Sequence, residues 1–146
     1  IRDSIITLHD YEEVGDTLYK RYTEYKDQIL TTEVYHSGKS ALANGYEYKG
    51  QPIIISEYGG IAFNNDDSGW GYGNKVNTKE DFIKRFDDIT TAVKKIPYCC
   101  GFCYTQVSDV QQEINGLMDM ERNFKVEPEI IKEINERKVG YWRTFM

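Results

Sequence analysis

The stretch QPIIISEYGG, Gln51 to Gly60, sets four residues suited to a buried strand, Ile53 to Ser56, directly ahead of a carboxylate, an aromatic ring and two glycines. Three consecutive β-branched isoleucines favour the extended backbone. Gly59 and Gly60 permit a sharp departure of the chain where that strand ends. A carboxylate in this position, Glu57, either pairs with a cation at the surface or performs chemistry, and the rest of the chain decides which.

Outward from this strand the pattern repeats. Upstream, SIITLH, Ser4 to His9, is β-rich, and Val14, Leu18, Tyr22, Tyr25 and Ile29 then recur at the spacing of one amphipathic helix. Downstream, a Gly/Asn/Asp-rich segment runs to Asn77. Thr78 is set to cap a helix with the apolar face Phe82, Phe86, Ile89, Val93 and Ile96, which Pro97 ends. Tyr98 to Thr105 reads as a third strand, and Pro128 opens a helix carrying Ile130, Ile131 and Ile134. Three βα units in series imply an α/β fold with a parallel sheet, and the near-continuous apolar strands predict cover on both faces. Barrels and doubly wound sheets both bind ligands at the carboxyl ends of their strands, where His9, Asp10, Tyr11, Glu57 and Tyr58 fall.

Composition narrows the partners. Across 146 residues, Lys+Arg 18 against Asp+Glu 24 leaves a net charge of -6, which argues against nucleic acid or an anionic membrane as partner. With 40% hydrophobic and 14% aromatic residues there is material for one core, and no apolar run approaches the roughly 20 residues of a membrane span. The cysteines of YCCGFCY, Cys99, Cys100 and Cys103, lack the partners of a zinc site and are expected as buried thiols. That usage favours a reducing, cytoplasmic setting. The chain has no leader-like start, but it does not begin with Met, which leaves export open. No phosphate-binding glycine motif follows a strand, so no nucleotide cofactor is expected, and no metal site either. Three strands are too few for a barrel of roughly 250 residues, so the chain is expected to be part of a larger domain.

The stretches IIISEYGG, GFCYTQVSDVQQEINGL and KVEPEIIKEIN, in that order, resemble the C-terminal part of the catalytic (β/α)8 barrel of glycoside hydrolase family 2, the family of β-galactosidases, β-glucuronidases and β-mannosidases. The resemblance covers nearly all of residues 1–146 as one segment. It implies a partial TIM barrel of the last three βα units, with TLHDYEE ending strand six, ISEYGG strand seven and CYTQVSD strand eight. It also implies that Glu57 is the nucleophile of a retaining hydrolysis, with a sugar contacted by His9, Asp10, Tyr11, Tyr58, Trp70 and Tyr104. Tyr11 is the implied hydrogen-bond donor to Glu57. Many members present a Trp from strand eight, where this chain has Tyr104, Thr105 and Gln106.

Asp109 and Glu113 are expected to brace the loop after that strand, and His36 to lie at the surface. The family's acid/base Glu follows strand four, which this chain does not contain, so that group is expected elsewhere. The function implied is hydrolysis of terminal β-glycosides, first of β-galactosidase type. The rivals are β-glucuronidase specificity and a non-catalytic sugar-binding or structural fragment. The expected partners are a carbohydrate, the remainder of the barrel and, through open sheet edges, further copies of the chain.

Overall fold

The computed structural model describes residues 5–31, 34–36, 38–64 and 69–139. β1 (Ile6–Asp10) leads into α1 (Gly15–Glu24) and the single turn α2 (Lys26–Ile29), followed by a hairpin of β2 (Val34–His36) and β3 (Lys39–Ser40). Then come β4 (Ile53–Gly59), β5 (Ile61–Phe63), β6 (Tyr72–Val76), α3 (Lys79–Lys95), β7 (Cys99–Thr105) and α4 (Pro128–Glu136). The three strands read from the sequence, β1, β4 and β7, form one parallel sheet with β4 in the middle. Helices cross between successive strands, as parallel pairing requires. β5 and β6 pair in parallel within a segment that carries no strand pattern in the sequence.

Alternation along the strands sorts the side chains. Ile6, Leu8 and Asp10 of β1 are buried while Thr7 and His9 are exposed. The register Ile6 to Ile53, Leu8 to Ile55 and Ile53 to Cys99 puts the buried set on one face. Leu18 and Tyr22 of α1, Phe86, Ile89 and Val93 of α3, and Ile131 and Ile134 of α4 close over it in a single core. Among the described residues the helices cover that face alone, which corrects the expectation of two covered faces. It also corrects the reading of the cysteines: Cys99 is buried on the helix side, but Cys100 and Cys103 are exposed, because Ile53 pairs with Cys99 and Ile54 with Gly101, so that the unmatched Cys100 reverses the alternation along β7.

The helix stripe from Val14 to Ile29 breaks at Tyr25, whose φ of -111° and ψ of 23° separate α1 from α2. Leu18, Tyr22 and Ile29 are buried as the spacing predicts, whereas Val14 and Tyr25 are exposed. Thr78 caps α3 as expected, its Oγ1 accepting the Asp81 N–H at 3.0 Å. No helix among the described residues is long and apolar enough to cross a membrane.

Lys94 is an unexpected member of the interior, only 3% exposed. Its Nζ donates to the carbonyls of Ile134 at 3.0 Å and Asn135 at 2.7 Å and to that of Arg137, satisfying the C-terminal end of α4, whose last carbonyls have no donor within the helix. Lys94→Met should therefore lower the unfolding free energy by about 1–3 kcal/mol through the carbonyls left unpaired. Urea denaturation of this variant beside Lys95→Met, on the exposed neighbour, is the check; equal small effects would contradict the capping role.

Candidate functional site

The sheet brings Glu57 to its carboxyl end by an irregularity. Leu8 pairs with Ile55, but His9 pairs with Glu57, so β4 carries one residue, Ser56, that β1 does not match. Towards β7, Ile55 pairs with Phe102 and Tyr58 with Tyr104, again one residue more on β4. Strict alternation after Ile53 and Ile55 would aim Glu57 at the helices. The extra residue reverses the parity, as a β-bulge does, and Tyr58 becomes the buried one. The Ser56 hydroxyl lies 3.4 Å from the Leu8 carbonyl.

Glu57 thereby opens into a cleft of about 840 Å³ shared with His9, Tyr11, Glu12, Glu13, Lys39 and Tyr72. The Tyr11 hydroxyl donates to Glu57 Oε2, and His9 Nδ1 stands 3.3 Å from the same oxygen. Among the described residues neither contact falls on Oε1. Burial first, then the bonds to Glu57 and Tyr72, pushes the Tyr11 phenol well above its ordinary range, so it remains a donor.

The Tyr11 ring stacks on Tyr72, centroids 3.5 Å apart and planes 6° from parallel, and Trp70, half exposed, meets Tyr72 edge-on at 5.9 Å. Gly60 turns with φ +59°, and a Cβ there would run into the rings of Tyr72 and Tyr11. At Gly59, φ +87°, it would overlap Tyr104. Both positions need glycine for the conformation and for the close approach.

Several expected site residues face elsewhere. Asp10 shares the parity of Ile6 and Leu8, so it is fully buried on the helix side, and its two oxygens accept from Arg21 Nη1 at 2.6 Å. Tyr58 is displaced into the core by the bulge, its hydroxyl 2.8 Å from Thr90 Oγ1 on α3. Tyr104 is turned inward against Phe86, accepts from the Ile61 N–H at 3.2 Å and donates to the Asn115 carbonyl at 3.1 Å, tying β7 to β5. None of these three lines the cleft, so their reading as sugar contacts is corrected.

Asp109 and Glu113 are loop braces, as expected. Asp109 accepts from Lys125 Nζ at 2.7 Å and from the Gly116 N–H at 2.8 Å, and Glu113 accepts from Asn115 Nδ2 at 3.1 Å. Lys125 also donates to the carbonyls of Phe63 and Ile114. The side chain of His36 lies outside the described residues.

Tyr72, Glu12, Glu13 and Lys39 are among the cleft residues that escaped the sequence reading. Tyr72 has the same glycine-flanked setting as Trp70, the one signal that pointed to it. Glu12 and Glu13 follow Tyr11 directly, and both are committed: Glu12 to Arg21 Nη2 at 2.8 Å, Glu13 to the Asn74 N–H at 2.8 Å and Arg85 Nη1 at 3.3 Å. Lys39 comes from the short hairpin. Among the described residues no three His, Cys, Asp or Glu side chains converge as a metal ion would require.

No protein-family model and no curated protein matches the chain. Nine chains of solved structures do. One is the β-glucuronidase of Bacteroides uniformis, matched with a TM-score of 0.53 and 15% identity over 83% of this chain. What the two share is a fold. The chain spans 14% of the length of that β-glucuronidase.

Burial also raises the phenols of Tyr58 and Tyr104 above the ordinary value. The folded chain thus holds the protons of Tyr11, Tyr58 and Tyr104 more tightly than the unfolded chain. This stabilisation is complete below the free phenol value of about 10 and is lost as pH climbs from there. Tyrosinate absorbance should show a late-ionising group whose appearance coincides with loss of helical circular dichroism, and Tyr11→Phe should reduce it. Complete ionisation near the free value with the fold intact would contradict the burial described.

Proposed function

We propose that the chain is the nucleophile-bearing part of a retaining β-glycosidase, first of β-galactosidase type, and supplies three consecutive βα units of a (β/α)8 barrel. One observation carries this reading: the bulge in β4 turns Glu57 into the cleft, where Tyr11 holds one carboxylate oxygen and leaves the other without a bond from the described residues. Oε1 attacks the anomeric carbon while the bond to the aglycone oxygen breaks, giving a glycosyl ester on Glu57; water then cleaves that ester and returns the carboxylate. Tyr11 orients Glu57 by a charge-assisted bond. His9 borders the same oxygen, and Tyr72 lines the cleft with an aromatic face that suits a sugar ring, while Trp70 is outside the lining and meets Tyr72 edge-on.

The aglycone oxygen needs a proton donor. Glu12 and Glu13 are held by arginines, so the acid/base group comes from the remainder of the barrel. The barrel reading is supported by the helices that, among the described residues, lie on one face of the sheet, by the outer edges of β1 and β7, unpaired among the described residues, and by the likeness to a short stretch of a far longer glycosidase. Until those edges are paired by neighbouring strands, they favour association between copies of the chain.

In the full-length protein, Glu57→Gln should preserve the fold and lower kcat on a nitrophenyl β-galactoside by about 10³-fold or more. Tyr11→Phe should lower kcat by roughly ten- to hundredfold, the value of one charge-assisted hydrogen bond, with less effect on KM. Turnover by Glu57→Gln at the parent rate would overturn the reading.

A further inference from the structure

Tyr11 does its work from a loop. β1 ends at Asp10, so nothing in the sheet ladder holds the residue whose hydroxyl meets Glu57. Stacking on Tyr72 fixes the plane of the ring but leaves it free to slide within that plane. One side chain of α1 reaches both of the residues that flank Tyr11. Arg21 Nη1 meets Asp10 Oδ1 and Oδ2 at 2.6 Å each, and Nη2 meets Glu12 Oε2 at 2.8 Å. Asp10 Oδ1 also accepts the Glu12 N–H at 3.0 Å, closing the turn around Tyr11. The second oxygen of Glu12 faces the N–H groups of Glu13 and Val14 at 3.1 and 3.2 Å.

One rigid guanidinium therefore spans the two carboxylates that flank Tyr11. The three side chains are 17%, 0% and 19% exposed for Arg21, Asp10 and Glu12. Buried ion networks of this kind are costly and contribute little net stability compared with apolar packing. What they do supply is fixed geometry, through the planar fork that Arg has and Lys lacks. Asp10 lies on the helix side of the sheet, whereas Glu12 stands at the cleft with Glu57 and Tyr11, so the guanidinium links the two sides.

We infer that Arg21 is a positioning residue for the Glu57 reaction: by clasping Asp10 and Glu12 it sets the Tyr11 hydroxyl on Glu57 Oε2. This rests on the reading of Glu57 as the nucleophile. Lys at this position keeps the charge and loses the fork, so the turn shifts and the hydroxyl leaves its partner. A displacement on the scale of an ångström costs up to about a hundredfold in a positioned reaction.

The test is a double-mutant cycle in the full-length protein, combining Arg21→Lys and Arg21→Gln with Tyr11→Phe. Each Arg21 variant should lower kcat on a nitrophenyl β-galactoside about tenfold, with KM nearly unchanged, and add almost nothing in the Tyr11→Phe background. Equal losses in both backgrounds would overturn the inference, because Arg21 would then act by some other route.

A second readout is independent of hydrolysis. With tyrosine isotope-labelled at its phenolic carbon and the Tyr11 resonance assigned from Tyr11→Phe, that resonance should move in Arg21→Lys while circular dichroism stays unchanged. An unmoved resonance overturns the inference even if activity falls. If the resonance moves but the parent protein hydrolyses no β-glycoside, the positioning stands and the assignment of the reaction fails. Should Arg21→Lys not fold, Arg21→Gln gives the same comparison.

Discussion

Everything at the cleft depends on one unmatched residue in β4. With Ser56 paired in step, Glu57 would follow Ile53 and Ile55 into the helix layer, where an ionised carboxylate without a cation is not tolerated. The bulge exchanges the fates of two neighbours. Glu57 gains solvent and the Tyr11 hydroxyl, and Tyr58 gains a place in the core with its own hydroxyl satisfied at Thr90. The lost regularity of the ladder is offset by a fully buried aromatic side chain, worth about 2–3 kcal/mol of apolar burial, and by the Ser56 contact to Leu8.

The glycines and charges around the bulge serve the same end. Gly60 lets the chain leave the strand so closely that Tyr72, from β6, reaches the ring of Tyr11. Glu13 anchors the Tyr11 loop to Asn74 of β6 and to Arg85 of α3, while Arg21 anchors it to α1. The loop is therefore tied to elements on both sides, and the hydroxyl at its centre has little freedom. On the proposed reading of Glu57 as a nucleophile, the group that holds it needs this restraint, because the benefit of positioning vanishes with small displacements.

Much of this frame was legible in the amino acids. β1, β4 and β7 announce themselves by β-branched runs, α3 by the spacing Phe82, Phe86, Ile89, Val93 and by Thr78, and the site by a carboxylate at a strand end followed by two glycines. The misplacement of Asp10 was avoidable in principle, since simple alternation from Ile6 and Leu8 assigns it to the buried face. Tyr58 was not, because the bulge that buries it leaves no mark in IIISEY. β5 and β6 escaped because glycine and asparagine dominate their surroundings, so the partner of Tyr11 became visible only through space. The role of Arg21 is hidden for the same reason: its spacing on α1 reads as an ordinary charge on a half-exposed helix face.

The central claim is that Glu57 forms a covalent bond to the sugar. Mass spectrometry after treatment of the full-length protein with a fluorinated β-galactoside inactivator tests it directly, since the fluorine slows release of the glycosyl ester long enough for digestion. The account predicts a fluorosugar adduct on the peptide containing ISEYGG, located at Glu57 by fragmentation and absent from Glu57→Gln. Inactivation accompanied by an adduct on a different carboxylate would contradict it.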